Sequence, residues 1–121
     1  MGFKRFVLWG RSMGATSSLL YCLKYKPEDV VLQVVDSAFF SFEMIAFEIA
    51  NKNVKAPEFM ISFGLEMAKK NCSKFEFNPF DIQLSNVGDC RVPALFVYCE
   101  EDNVINSQNT HMLCSRFKGT F

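Results

Sequence analysis

Histidine is almost missing from this sequence of 121 residues: His111 is the only one, so any mechanism that needs an imidazole must use it or go without. Net charge is missing too, because 13 Lys and Arg are balanced by 13 Asp and Glu, and no basic surface for nucleic acid is indicated. The longest apolar runs, such as residues 30–35, are too short to span a bilayer, so no transmembrane segment is expected. The opening MGFKRF leads into a strand-like run rather than the h-region of a signal peptide. Gly2 follows Met1, but Phe6 stands where N-myristoylation requires Ser or Thr. The five cysteines, Cys22, Cys72, Cys90, Cys99 and Cys114, are odd in number and none are spaced CxxC. That speaks against zinc and against a disulfide framework, and for free thiols in a reducing, cytoplasmic setting. None of the cysteines sits in a pattern that would depress its pKa, so a cysteine nucleophile is not expected. Repeats, linkers and low-complexity segments are absent.

Apolar residues, by contrast, are abundant. Half the chain is hydrophobic and 14 residues are Phe. Such a surface is made to be covered, by the rest of a fold or by an apolar substrate. A short β-rich run at 6–9 ends at Gly10. Residues 15–25 carry Ala15, Leu19, Leu20 and Leu23 at helical spacing and stop before Pro27. Residues 30–35 are apolar on both faces, the mark of a buried parallel strand. Phe42, Ile45, Ala46 and Ile49 predict a helix after Ser41. Pro57 opens another in its first turn, with Met60, Phe63 and Met67 on one face. Asn78-Pro79 breaks the pattern, residues 94–99 form another buried strand after Pro93, and Ser107 caps a last helix that carries Leu113 and Phe117 and ends at Gly119. The order β-α-β-α-α-β-α predicts an α/β fold with three parallel strands and right-handed crossover helices. The pair of helices between Ser41 and Cys72 makes a long crossover, of the kind that lies over a site as a lid.

Residues 6–14, FVLWGRSMG, read as strand, G-x-S-x-G, then helix. So tight a strand-to-helix turn forces Ser12 into a strained backbone conformation with positive φ. Side chains at Gly10 and Gly14 would collide with neighbouring elements. Ser12 then stands exposed at a strand's carboxyl end and a helix N-terminus, where partial positive charge favours an oxyanion, and the Met13 N–H can donate to it. Arg11 and Met13 occupy the variable positions, and Arg11 is a surface or packing residue. A second candidate lies in residues 93–105, PALFVYCEEDNVI, a buried strand running into an acidic loop and an apolar hook. An acid that orients an imidazole belongs at such a strand end. Asp102 is favoured over Glu100 and Glu101 because the hook Asn103-Val104-Ile105 would pin it. Asp36, at the end of the middle strand, is the second choice.

Residues 6–21, Val34-Val35-Asp36-Ser37-Ala38-Phe39 and residues 92–105 together resemble the serine-aminopeptidase-like and monoacylglycerol-lipase-like branch of the α/β-hydrolases. There the elbow often reads G-x-S-M-G, the next strand ends in a D-S-P-F-like sequence, and the acid strand reads roughly P-x-L-x-x-x-G-x-x-D-x-x-V/I. Ala38 replaces the usual proline, and Cys99 stands where glycine is usual. The resemblance implies a partial α/β-hydrolase domain over residues 1–121, with Ser12 as nucleophile, Asp102 as triad acid, Met13 in the oxyanion hole, and no metal or cofactor. It implies further that the early strands precede residue 1 and that the catalytic histidine follows residue 121, since His111 comes too soon after Asp102. The expected function is hydrolysis of an ester, thioester or amide through an acyl-enzyme, on a small-molecule, lipid or peptide substrate, with peripheral membrane contact open. The Phe- and Met-rich crossover hints at acyl chains. The competing class is a non-catalytic remnant or interaction module that keeps the sheet.

Overall fold

The computed structural model describes residues 2–119. They divide into two compact units, one formed by residues 2–40 with 84–119, the other by Ser41–Gln83. The first holds strand β1 (Phe6–Arg11), helix α1 (Met13–Tyr25), strand β2 (Val30–Asp36), strand β3 (Ala94–Val97) and helix α4 (Ser107–Arg116). The second holds helices α2 (Phe42–Asn53) and α3 (Glu58–Cys72). The three strands form one open parallel sheet in the order β1-β2-β3. The fold is therefore α/β, as the alternation of patterns predicts.

Register decides which side chains share a face. Leu8, Gln33 and Ala94 lie in line, as do Gly10, Val35 and Phe96. Ala94 and Val35 join Ala15 and Leu19 of α1 and Leu113 of α4 in the main core, against which Phe96 packs. The alternate residues point the other way. Trp9, Val34 and Leu95 align there, and Trp9 is 77% exposed and Leu95 40%. So one face of the sheet is packed by helices, and the opposite face carries open apolar side chains. β1 is exposed or half-buried along its whole length.

The sheet interior contains one polar surprise. Gln33 is fully buried in the central strand, and its amide donates to Cys90 Sγ and to the Val92 carbonyl, both at 3.4 Å. Its Oε1 has no hydrogen-bond partner among the described residues, a buried acceptor left unpaired at a cost of about 1–3 kcal/mol.

Helix starts follow local chemistry. Ser41 caps α2, its hydroxyl accepting the Met44 N–H. Lys26, left-handed at φ 47°, closes α1 just before Pro27, and its N–H reaches the Cys22 carbonyl. Several expectations need correction. α3 begins at Glu58, with Pro57 one residue earlier and extended. Met60, Phe63 and Met67 do share a face, but it is the solvent face, while Ile61 is the buried residue. α4 is capped by Asn106, whose side chain accepts the Gln108 N–H, and Ser107 is its first residue. It ends at Arg116 rather than Gly119, with the Phe117 N–H bonded to the Leu113 and Cys114 carbonyls. β3 ends at Val97, so Tyr98 and Cys99 belong to the loop.

Candidate active site

Because the strands are parallel, the turns after β1, β2 and β3 share one edge of the sheet. These turns carry Ser12, Asp36-Ser37 and Asp102. Ser12 has φ 51° and ψ −115°, outside the ordinary wells for an L-residue and outside the left-handed helical well as well. Such a conformation costs on the order of 1–3 kcal/mol and persists only where neighbours over-determine it. Here they do. Its N–H donates to the Asp36 carbonyl at 2.9 Å, and its own carbonyl accepts from the Thr16 N–H at 3.0 Å. Ser12 sits at the N-cap of α1, a position where a serine hydroxyl normally caps the helix. In this helix the side chain makes no capping bond. Met13, first in the helix, has an N–H with no intrahelical acceptor.

The two elbow glycines differ. A Cβ at Gly10 would lie 2.3 Å from the Gly14 carbonyl carbon and oxygen and 2.5 Å from the Ala15 nitrogen, so only glycine fits. A Cβ at Gly14 would meet nothing within 4 Å. The expected collision at Gly14 is therefore absent among the described residues, because the strand lies on the Gly10 side of the turn and Gly14 faces outward.

Asp102 is half-buried in the loop after β3. Its Oδ1 accepts two backbone N–H groups, from Val104 at 2.8 Å and Ile105 at 3.0 Å, and its own N–H reaches the Cys99 carbonyl. Ile105 is buried, so the apolar hook does anchor the loop, while Glu100 and Glu101 stay exposed. Asp36 is engaged differently. Its carboxylate accepts the Ser37 hydroxyl at 2.8 Å and lies 3.9 Å from Arg11 Nε. Arg11 is thus an exposed residue paired on the open face of the sheet. His111, on α4, packs its ring edgewise on Tyr98, with centroids 4.5 Å apart.

Sequence reasoning missed the framework beneath this edge. Ser37 also has positive φ, 53°, and its N–H donates to the Val97 carbonyl. The segment after it is a buried loop whose backbone is satisfied by side chains. Thr16 Oγ1 both donates to the Phe39 carbonyl and accepts the Phe39 N–H. Asn109 Oδ1 accepts the Phe40 N–H, and the Thr110 hydroxyl donates to the Ala38 carbonyl. The available signal was the polar pair Asn109-Thr110 on the same side of α4 as Leu113.

All five cysteines are free, and burial, reinforced by Cys90, pushes the Cys22 thiol up to about 11, which keeps it protonated. Among the described residues no cluster of three or more His, Cys, Asp or Glu could hold a metal. No helix among them is long and apolar enough to cross a membrane. Two cavities of this unit, about 570 and 650 Å³, are lined by residues such as Lys26, Arg91 and Pro93. They lie toward the amino ends of β2 and β3, away from Ser12. No protein-family model matches the chain, and no curated protein matches it.

Proposed function

We propose that this chain carries the nucleophile and the acid of a serine hydrolase of the α/β-hydrolase type, acting on an ester, thioester or amide bond. The observation that carries the reading is Ser12: a serine at a helix N-cap, held at φ 51°, whose hydroxyl is withheld from capping duty. A structural serine would lower its energy by relaxing and capping. In this reading Ser12 Oγ attacks the carbonyl, the Met13 N–H and the positive end of α1 stabilise the oxyanion, and Asp102 orients the imidazole that removes the proton. Asp102 suits that role better than Asp36, whose carboxylate faces Arg11 and Ser37. β1 and β3 flank β2, so their ends stand about 10 Å apart. That is close to the roughly 8 Å that one imidazole spans with a hydrogen bond at each end. His111, packed on Tyr98, is not assigned as the base. The substrate class is a small-molecule, lipid or peptide acyl compound, and no cofactor enters the mechanism.

The experiment is labelling of residues 1–121 with a fluorophosphonate, the modified residue being located by mass spectrometry. Slow labelling at Ser12, accelerated by added imidazole and lost in Ser12→Ala, is the expected result. Labelling spread over several surface serines, with no acceleration by imidazole, would leave the sheet as a non-catalytic module.

A further inference from the structure

We infer that Cys22 and Cys90 form a peroxide-oxidisable dithiol, which closes to a disulfide tying α1 to the segment that leads into β3, with Gln33 positioning the Cys90 sulfur for the first step. This inference concerns the amino edge of the sheet and stands apart from the reading of Ser12.

The two thiols are buried together. Cys22 and Cys90 are 1% and 2% exposed, and with Val30 and Val92 they make a small buried cluster separate from the main core. Leu8, Leu23 and Phe117 pack against it. The other cysteines sit elsewhere: Cys99 and Cys114 are exposed, and Cys72 belongs to the Ser41–Gln83 unit. Burial first, and then the nearness of Cys90, keep the Cys22 thiol protonated.

Gln33 is the residue that packing alone does not explain. A leucine would fill its place in the central strand and leave no polar atom unpaired. Gln33 instead is fully buried, and its Oε1 has no partner among the described residues. Its Nε2 donates to the Cys90 sulfur and to the Val92 carbonyl, both at 3.4 Å, and the Cys90 thiol donates to that same carbonyl at 3.8 Å. The sulfur is thus held between a donor and an acceptor. The Gln33 N–H steadies negative charge as it develops on sulfur, and the unpaired Oε1 of the same amide is an acceptor for an incoming O–H group. A buried amide that carries such a cost invites a role beyond packing.

An oxidant has a way in. Cys22 lines the cavity of about 650 Å³ and Cys90 the cavity of about 570 Å³, while Lys26 and Arg91 line both. Around the two cavities four cations, Arg5, Lys26, Arg91 and Lys118, outnumber the acids Glu28 and Asp89. A cationic surrounding favours thiolate chemistry. Hydrogen peroxide is small enough to reach a sulfur this deep. Cys90, giving up its proton, attacks one peroxide oxygen; the O–O bond breaks, the departing hydroxide takes that proton as water, and Cys90 becomes a sulfenic acid. The Cys22 sulfur then attacks the Cys90 sulfur, the S–O bond breaks, and the leaving oxygen takes the Cys22 proton as a second water. Two thiols are oxidised to one disulfide and one peroxide is reduced to two waters. Because Cys22 keeps its proton, it supplies that proton to the leaving oxygen and does not compete for peroxide.

The test uses the full chain carrying Cys72→Ser, Cys99→Ser and Cys114→Ser, treated in its folded state with a small excess of hydrogen peroxide. Free thiols are counted by alkylation in denaturant, and a non-reducing digest read by mass spectrometry locates any link. The expected result is loss of both thiols together, a mass lower by two hydrogens and a cross-linked peptide pair holding Cys22 and Cys90. The product should remain a monomer, with a urea midpoint raised by about 1 M or more and restored by dithiothreitol. Cys22→Ala in this background should stop at oxidised Cys90 with no link. Gln33→Leu should still fold, since it removes the orphaned acceptor, and should slow the loss of thiols roughly tenfold. Survival of both thiols in the folded chain overturns the inference. So does oxidation of Cys90 past the sulfenic acid while Cys22 stays free, and so does a disulfide that joins two chains. A rate unchanged in Gln33→Leu overturns the role given to Gln33.

Discussion

Adding one methyl group at Gly10 should damage this protein more than adding the same group at Gly14, four residues away. At Gly10 the new Cβ would stand 2.3 Å from two backbone atoms of Gly14 and 2.5 Å from a third atom, the Ala15 nitrogen. Overpacking a core that can yield costs about 1–3 kcal/mol. Here the obstructing atoms belong to the first turn of α1, which can give way only by unwinding, so the upper end, about 3 kcal/mol, applies. At Gly14 the methyl enters open space within a helix, and φ there is not positive. Gly→Ala in a helix gains about 0.5–1 kcal/mol. The two variants should therefore differ by about 4 kcal/mol. With a urea m-value of about 1.5 kcal/mol/M, the Gly10→Ala midpoint falls by about 2 M and the Gly14→Ala midpoint rises slightly. Urea titration followed by circular dichroism measures both, and hydrogen exchange at the amides of α1 localises the loss. Midpoints within about 0.3 M of each other would refute the elbow geometry, because they would mean that β1 and α1 do not meet as tightly as the distances require.

Three further perturbations test the framework. Thr16→Val keeps the shape but leaves the buried N–H and C=O of Phe39 unpaired, which should cost about 2–4 kcal/mol by urea unfolding; a loss below about 0.5 kcal/mol would mean that water or another group replaces the hydroxyl. Asp102→Asn retains an oxygen for the Val104 and Ile105 N–H groups and should cost under about 1 kcal/mol, whereas Asp102→Ala frees the loop and should cost about 1–3 kcal/mol; equal losses would argue that the charge, not the hook, holds the loop. Cys22 keeps its proton up to about 11 when folded, against an ordinary value of 9.0, so above pH 9 the unfolded chain binds fewer protons and stability falls until pH 11. A Cys22→Ala variant should lack that part of the alkaline loss, and identical pH profiles would show that the thiol is not the group responsible.

The fold was legible because its signals are local. Residues 30–35 are apolar on both faces but for Gln33, and the flanking segments alternate with helical spacing, which together leave little but a parallel sheet. The elbow was legible because a strand, two glycines four apart and a helix leave Ser12 few backbone options, and its φ follows from that constraint. What sequence did not yield was which way things face. Met60, Phe63 and Met67 have the spacing of a buried stripe, yet Ile61 on the other side is the one that packs. Periodicity marks a face without saying what lies against it. Gly14 was grouped with Gly10 by the motif, although only one side of the turn is crowded. Asn106 took the cap expected of Ser107 because an Asn side chain accepts the Gln108 N–H equally well one residue earlier. The clamp of Thr16, Asn109 and Thr110 on residues 38–40 joins parts of the chain far apart in sequence, and no short window contains it.

The hydrogen bonds at the carboxyl edge run in series: Ser12 leans on the Asp36 carbonyl, and Ser37 leans on the Val97 carbonyl. That gives the edge a timetable. β1 and the five residues of its turn are made first, but of the two backbone bonds on Ser12 only the one from Thr16 can form before β2 has docked beside it. The turn after β2 waits in the same way for β3, on the far side of the whole Ser41–Gln83 segment. Strand pairings of this kind close slowly, since loop entropy must be overcome before any contact rewards it. A growing chain that holds only residues up to Tyr25 therefore lacks the Asp36 carbonyl that receives the Ser12 N–H. The clamp on Ser12 is completed only as the sheet zips across, so it belongs to the assembled edge as well as to the five residues that spell it.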